Sequence, residues 1–221
     1  MENTRKIGFY NHKGGVAKSS SVINVTYFLQ KMGKKILVVD CDSQENSFSF
    51  YSIGNIVKSA RPSKYENVFY MKWDFYSDSE GEGFDFIIFD LPPTMSDEVK
   101  KIIKQCDFVF VPTILGAFEA SGLPKVTDEI RRQGTALGGV FVTMYNLKRD
   151  SELYADFKTF LHRDMLDTAI PYSETVRESQ KYGLALEEYF NERKTPNVRN
   201  TRKVAFAYED LTNEILRRCE Q

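Results

Sequence analysis

The sequence predicts an α/β fold, a mostly parallel, twisted sheet flanked by helices on both faces. Three observations carry that reading. Apolar runs of strand length alternate with segments whose apolar residues recur at helical spacing, as they do when strands are joined by helical crossovers. The first apolar run, Ile7 to Phe9, is soon followed by a Gly14-Gly15 turn that opens directly into a helical pattern. The stretch Phe84–Leu91 is apolar except for Asp85 and Asp90, as expected of a strand covered on both faces.

Along the chain, Val22, Val25, Leu29 and Met32 recur at helical spacing, and Gly33 supplies a stop. Lys35–Asp40 reads as a strand that ends in Asp40-Cys41-Asp42. Residues 54–83 are the least regular part, with a short strand around Val68–Met71. A strand at Asp85–Asp90, a helix near Asp97–Gln105 and a strand at Phe108–Pro112 follow. A helix at Glu119–Arg132 leads to a strand at Gly139–Thr143, and another helix spans Ser151–Leu166. A short strand ends at Ile170-Pro171, and Glu174–Tyr182 forms a helix that Gly183 stops. The final helix carries Val204, Tyr208, Leu211 and Ile215 on one face. No repeat, low-complexity segment or long linker divides the chain, so residues 1–221 are expected to form one domain.

At 221 residues, 42% hydrophobic and 28% charged, the chain can bury a full core. Its formal net charge of −1 gives no global field for nucleic acid, so any such contact must come from a local patch. No apolar run approaches the length of a membrane span, and no signal-like segment is present, so a cytoplasmic location is expected. Cys41, Cys106 and Cys219 are odd in number and widely spaced, the pattern of reduced structural thiols.

The chemistry concentrates at three strand ends. In Lys13-Gly14-Gly15-Val16-Ala17-Lys18-Ser19-Ser20, a glycine turn opens into a helix whose exposed N–H groups favour phosphate. Lys18 is placed to reach β/γ-phosphates, and the Ser19 hydroxyl to ligate Mg²⁺. The ordinary G-x-x-x-x-G-K-[ST] pattern fails twice, since His12 and Ala17 stand at its glycine positions. The deviant form K-G-G-x-x-K-[ST] fits. The second strand delivers Asp40 and Asp42 beside this loop. The third, Phe86-Ile87-Ile88-Phe89-Asp90-Leu91-Pro92-Pro93, ends in a carboxylate that can hold Mg²⁺ and then a stiff D-x-P-P turn.

Together these motifs resemble the ParA/MinD family of P-loop ATPases. The resemblance covers nearly the whole chain and matches the short form, with no N-terminal helix-turn-helix domain. It implies ATP and Mg²⁺ as ligands and ATP hydrolysis as the activity. Val39 to Asn46 resembles the family's D-x-D-P-Q-x-N switch, with Ser43 in place of proline. By that resemblance Asp42 positions the attacking water, Asp40 supports the Mg²⁺ shell or the loop lysine, and Asp90 holds Mg²⁺. Phe141–Asn146 is similar to the strand before the base pocket, which implicates Asn146. Ile170-Pro171 with Val176-Arg177-Glu178-Ser179 and Gly183 resembles the segment that follows, which implicates Pro171. Glycine usually stands where this chain has Ala17.

The output is set by surface rather than by the loop. Arg193, Lys194, Arg199, Arg202 and Lys203 form a basic run with no acidic residue between them, a candidate contact for DNA phosphates, with Arg199, Arg202 and Lys203 leading. The chain ends Leu-Arg-Arg-Cys-Glu-Gln after a helix whose apolar face the core needs, so no membrane contact is expected. The resemblance then implies an ATP-sandwiched homodimer with Lys13 of each subunit reaching the other's nucleotide. It further implies non-specific DNA binding, nucleoid association in the ATP state, and a ParB-type centromere-binding partner that stimulates hydrolysis. The alternative is a slow-hydrolysing nucleotide switch or scaffold that positions other cellular cargo.

Overall fold

The computed structural model describes residues 4–42, 46–51, 59–193 and 198–220. Its frame is a sheet with strands β1 (Arg5–Phe9), β2 (Ile36–Asp40), β3 (Arg61–Pro62), β4 (Val68–Lys72), β5 (Phe86–Asp90), β6 (Phe108–Thr113) and β7 (Ala136–Val142). Their spatial order is β3-β4-β2-β5-β1-β6-β7, and all neighbours run parallel except the short β3, which pairs antiparallel at the edge. The helices are α1 (Lys18–Lys31), α2 (Asn46–Tyr51), α3 (Asp97–Gln105), α4 (Ala117–Arg132), α5 (Leu147–Leu161), α6 (Glu174–Lys181), α7 (Leu186–Glu192) and α8 (Val198–Cys219).

Two-residue alternation on the central strands creates two cores. Ile7, Phe9, Ile36, Val38, Phe86 and Ile88 join Val22, Val25 and Leu29 of α1 and Val204, Tyr208, Leu211 and Ile215 of α8 on one side. Leu37, Val39, Ile87, Phe89, Val109 and Val111 join Val99, Ile102 and Ile103 of α3 and Leu123, Val126 and Ile130 of α4 on the other. With both faces covered, β2 and β5 are buried at every residue, which is why they read as unbroken apolar runs.

Between β1 and its neighbours the chain reverses its winding: β1 crosses to β2 on one side, whereas β5 crosses to β6 on the other. At such a switch point the loops diverge and leave a crevice beyond the strands' carboxyl ends. Registry brings the acidic residues there together, since Asp40 pairs with Asp90 across β2 and β5 and Phe9 pairs with Asp90 across β1 and β5.

Several predicted boundaries move for physical reasons. Met32 lies past the end of α1 and is exposed, so the apolar face of that helix ends at Leu29. Strand β7 begins at Ala136 rather than Gly139, with Gly138 letting the Phe110 ring lie against the backbone beside a register shift and Gly139 giving room to Leu166. Helix α5 begins at Leu147 and gives way to a 3₁₀ turn after Leu161. The expected strand ending at Ile170-Pro171 forms only isolated bridges, Val140 with Met165 and Tyr145 with Pro171. Helices α2 and α7 are too short to show a period in the sequence and were not expected. Ser43 and Lys194 lie outside the described residues.

A Cβ added at Gly138 would sit 2.6 Å from the Phe110 ring. Gly138→Ala is therefore expected to overpack the sheet, lowering stability by about 1–3 kcal/mol. Urea unfolding checks this, and an unchanged midpoint would mean that the ring moves aside freely.

Candidate functional site

The loop between β1 and α1 is tied down from several sides. The Asn11 amide donates to the Pro112 carbonyl at 2.9 Å, while its Oδ1 accepts the Lys13 backbone N–H at 3.0 Å. The Thr143 hydroxyl lies 3.2 Å from the Val16 carbonyl and 3.1 Å from that of Thr113, so β6 and β7 both brace the turn. Val16 is buried as part of this anchor, and Lys13, Gly14 and Gly15 are exposed. Gly15 adopts φ 75°. Ala17 adopts φ 63° and ψ 33°, the left-handed region that a methyl group disfavours. No side chain caps α1, which leaves its first N–H groups directed at the crevice.

That crevice holds a cleft of about 880 Å³ lined by Gly14, Gly15, Ala17, Lys18, Ser19 and Ser20 on the loop side. Asp42 and Pro93 line its second wall, and Ser49 and Phe50 of α2 a third. A second cleft of about 560 Å³ continues past Ser20 to Thr143, Met144, Ile170, Pro171, Tyr172 and Val176. The clefts meet at α6, where the Gln180 amide donates to the Ser20 hydroxyl at 2.8 Å.

Beneath the first cleft the charges are dehydrated. The Lys18 side chain is buried, and burial pulls its ammonium below its ordinary pKa although Asp90 and Asp42 oppose the shift. Its Nζ donates weakly to the Lys13 carbonyl at 3.3 Å. Asp90 is 1% exposed, and neither of its carboxylate oxygens has a hydrogen-bond partner. Burial first, then the facing Asp40, pushes its pKa up to about 7, while the Ser19 and Ser47 hydroxyls and Lys18 pull it back. Asp40 is nearly as buried, and its Oδ1 accepts the Asp42 backbone N–H at 2.9 Å, which turns the chain so that Asp42 reaches the cleft.

An orphaned, desolvated carboxylate flanked by a second carboxylate and a hydroxyl is a donor set for a small hard cation. Among the described residues no three His, Cys, Asp or Glu groups converge to hold a metal by themselves. A cation here would therefore complete its shell with Ser19 and with oxygens from a ligand or from water.

The structure thus gathers Gly14, Gly15, Ala17, Lys18, Ser19, Ser20 and Asp42 on one cleft, with Asp40 and Asp90 beneath it. It places Pro171 in the second cleft. Asn146 lines neither cleft, because its Oδ1 caps α5 by accepting the Lys148 and Arg149 N–H groups. Lys13 stands on the outer side of the loop, over a small hollow shared with His12 and Gly122. Arg199, Arg202 and Lys203 are exposed on the first turns of α8, while Thr201, Val204 and Ala205 face inward. The Arg202 guanidinium lies 5.2 Å over the Phe206 ring, and that of Arg193 lies 3.7 Å over Tyr182. Sequence reading missed Phe50, Gln180, Lys181 and Tyr172, which carry no motif and reach the clefts only by packing, and did not single out Met144 within Phe141–Asn146. The three cysteines are free, with Cys106 and Cys219 buried, as reduced structural thiols would be.

A family model described as an AAA domain matches residues 4–75. The chromosome-partitioning ATPase Soj of Treponema pallidum is 25% identical over 255 residues, covering 96% of this chain and 97% of that protein. Among solved structures, the septum site-determining protein MinD of Pyrococcus horikoshii, complexed with Mg-ADP, superposes with a TM-score of 0.77. It is 19% identical and covers 96% of each chain. The ATP complex of a Cyanothece McdA variant superposes with a TM-score of 0.76 at 15% identity, again covering 96% of each chain.

Two expectations follow from the site itself. A left-handed alanine costs about 1–2 kcal/mol and glycine returns about 0.5–1 in entropy, so Ala17→Gly should raise the melting temperature by about 1–3 °C. Calorimetry without nucleotide checks it, and a lower value would show that the loop holds Ala17 without strain. The second concerns Asp90, whose folded pKa of about 7 exceeds its ordinary 3.8. Between those values the folded protein keeps a proton that the unfolded chain releases. The metal-free protein therefore loses stability as pH rises through this window and levels off above it, by a few kcal/mol in all. Asp90→Asn should flatten the profile in urea titrations from pH 5 to 8, and an unchanged slope would place the titrating group elsewhere.

Proposed function

We propose that this chain, which belongs to the ParA/MinD family of P-loop ATPases, binds ATP·Mg²⁺ in the first cleft and hydrolyses it to drive DNA segregation. The observation that carries the nucleotide assignment is Asp90, a buried carboxylate with unpartnered oxygens beside Lys18 and Ser19 at the uncapped head of α1. Gly14 to Ser20 would wrap the phosphates with backbone N–H groups, and Lys18 would meet the β/γ-phosphates with its ammonium. Ser19 and Asp90 would hold Mg²⁺, with Asp40 steadying the shell. When bound, the ion offsets negative charge on the phosphate oxygens.

The half-exposed Asp42 reaches the cleft from the β2 loop and is the residue able to orient a water there. Positioning of that kind suits phosphoryl transfer, which needs alignment and charge balance rather than a covalent intermediate. Lys13 is exposed and lines a hollow separate from the first cleft, which supports a role across a two-fold homodimer in which each subunit lends its lysine to the other. Met144, Ile170, Pro171 and Tyr172 supply an apolar place for the base. Asn146 would reach a base only by giving up its cap.

Partition of a chromosome, plasmid or mobile element is supported by the chromosome-partitioning relative and by the exposed Arg199, Arg202 and Lys203. Such a surface would hold DNA phosphates without reading sequence, and a ParB-type partner would trigger hydrolysis and release. A scaffold that positions other cargo is the second reading, and the left-handed Ala17 favours it by burdening the loop that would turn over nucleotide. No helix among the described residues is long and apolar enough to cross a membrane.

Asp42→Ala should still bind ATP but hydrolyse it about 10²–10⁴-fold more slowly. Phosphate release with parallel titration calorimetry measures this, and unchanged turnover would transfer the positioning role to Asp40. For the DNA surface, log K should fall linearly with log salt, by roughly 0.9 for each neutralised phosphate. Replacing Arg202 and Lys203 by alanine should flatten that slope equally on two unrelated duplexes. A wild-type slope in the double variant would move the patch, and no ATP-dependent binding by the wild type would favour the cargo scaffold.

A further inference from the structure

Helix α6 brings two cations to the junction of the clefts that neither the loop nor the acidic switch explains. Six residues line both clefts: Gly15, Ala17 and Ser20 from the loop side, and Arg177, Gln180 and Lys181 from α6. Arg177 and Lys181 are four residues apart, so they share a helix face. Both are exposed, and among the described residues neither side chain has a hydrogen bond or an ion pair. Glu174 and Glu178 line the second cleft alone.

Gln180 fixes where this face lies. Its amide donates to the Ser20 hydroxyl at 2.8 Å, pinning α6 against the first turn of α1, while Ser173 caps α6 by accepting the Thr175 N–H. The Gln180 contact near one end and the hydroxyl bond from Thr201 to Thr175 at 3.2 Å near the other hold the helix in place, and its two cations line the passage between the loop and the apolar cleft. Arg177 and Lys181, at one opening of a cleft that already contains Lys18, give that wall a locally positive potential, opposed by Asp42 across the first cleft and by Glu174 and Glu178 in the second. Such a potential attracts a polyanion, and the passage lies where a phosphate chain must run if its base occupies the second cleft.

We infer that Arg177 and Lys181 grip the phosphate chain of the bound nucleotide from the α6 wall, facing the loop, so that the site distinguishes nucleoside di- and triphosphates from the bare nucleoside by contacts on two sides. This rests on the nucleotide reading above and assigns to α6 the phosphate contacts that the loop does not make. Arg177 is the stronger candidate for a paired contact, since its planar guanidinium can meet two phosphate oxygens at once, whereas Lys181 acts as a point charge.

The test is binding of ADP, ATP and adenosine to the full chain and to Arg177→Gln, Lys181→Gln and the double variant. Titration calorimetry follows the nucleotides, and saturation-transfer NMR follows adenosine. Lys18→Ala serves as a reference for the loop. Each single variant should weaken ADP and ATP about fivefold to tenfold. The double variant should weaken them further and reduce the salt dependence of binding, with adenosine affinity unchanged within about twofold. If the double variant keeps ADP affinity while Lys18→Ala loses it, the grip is overturned and the nucleotide site stands. If adenosine is lost in parallel, α6 serves to shape the cleft and the grip is again overturned. If ADP binding is intact and only the ATP-induced dimer seen by light scattering weakens, the cations act between subunits and the inference fails. If the wild type binds neither nucleotide, both readings fall together.

Discussion

Desolvated negative charge at the carboxyl edge of the sheet is the constraint on which this site depends. Registry between β2 and β5 sets Asp40 beside Asp90, and the two cores seal both from water. Two carboxylates cannot both stay ionised there without positive charge nearby, which is why Asp90 is driven toward neutral pH. Lys18 supplies part of that charge and is itself dehydrated, so its own pKa falls. The cluster is left short of positive charge, which favours a proton on Asp90. A cation accompanied by a polyanion above it resolves the imbalance more completely than a proton can, since it places positive charge against both carboxylates.

The rest of the molecule holds this tension in place. Asn11 and Thr143 fasten the loop to β6 and β7, so its exposed N–H groups cannot turn away to satisfy themselves. The wall on the other side is built by long-range contacts. Phe50 of α2 stacks on Tyr65 with ring centroids 6.2 Å apart, and the Tyr65 hydroxyl donates to Glu188 at 2.5 Å while accepting the Ala185 N–H at 3.0 Å. Lys64 reaches the Gly183 carbonyl and Glu188 from the same corner. This corner ties the segment after Asp42 to α7, and α7 packs on α8, where Arg199, Arg202 and Lys203 stand.

Surface chemistry on α8 follows from burial on its opposite face. Thr201, Val204, Ala205 and Tyr208 occupy the core side, so the basic residues between them are left to solvent. Arginines stacked on Tyr182 and Phe206 hold their guanidinium planes in place and lower the ordering cost of meeting a phosphate.

What the sequence by itself determined was local. Runs such as Ile36–Asp40 and Phe86–Asp90 must be strands buried on two faces, because each position is apolar until the acidic end, and Lys13 to Ser20 must be a turn into a helix because Gly-Gly precedes a helical pattern. These segments announced the α/β class, the order of the main elements and the loop and acidic residues of the site. Tertiary structure decided the remainder. It carried β7 back through Gly138 to Ala136, where the Phe110 ring needs the space a side chain would fill, and it gave Asn146 to a helix cap. It also brought Phe50, Gln180, Arg177 and Lys181 to clefts whose other walls lie far away along the chain. No local pattern encodes such contacts, since they arise from packing short helices with no detectable period over a sheet whose strand order is settled only when both faces are covered.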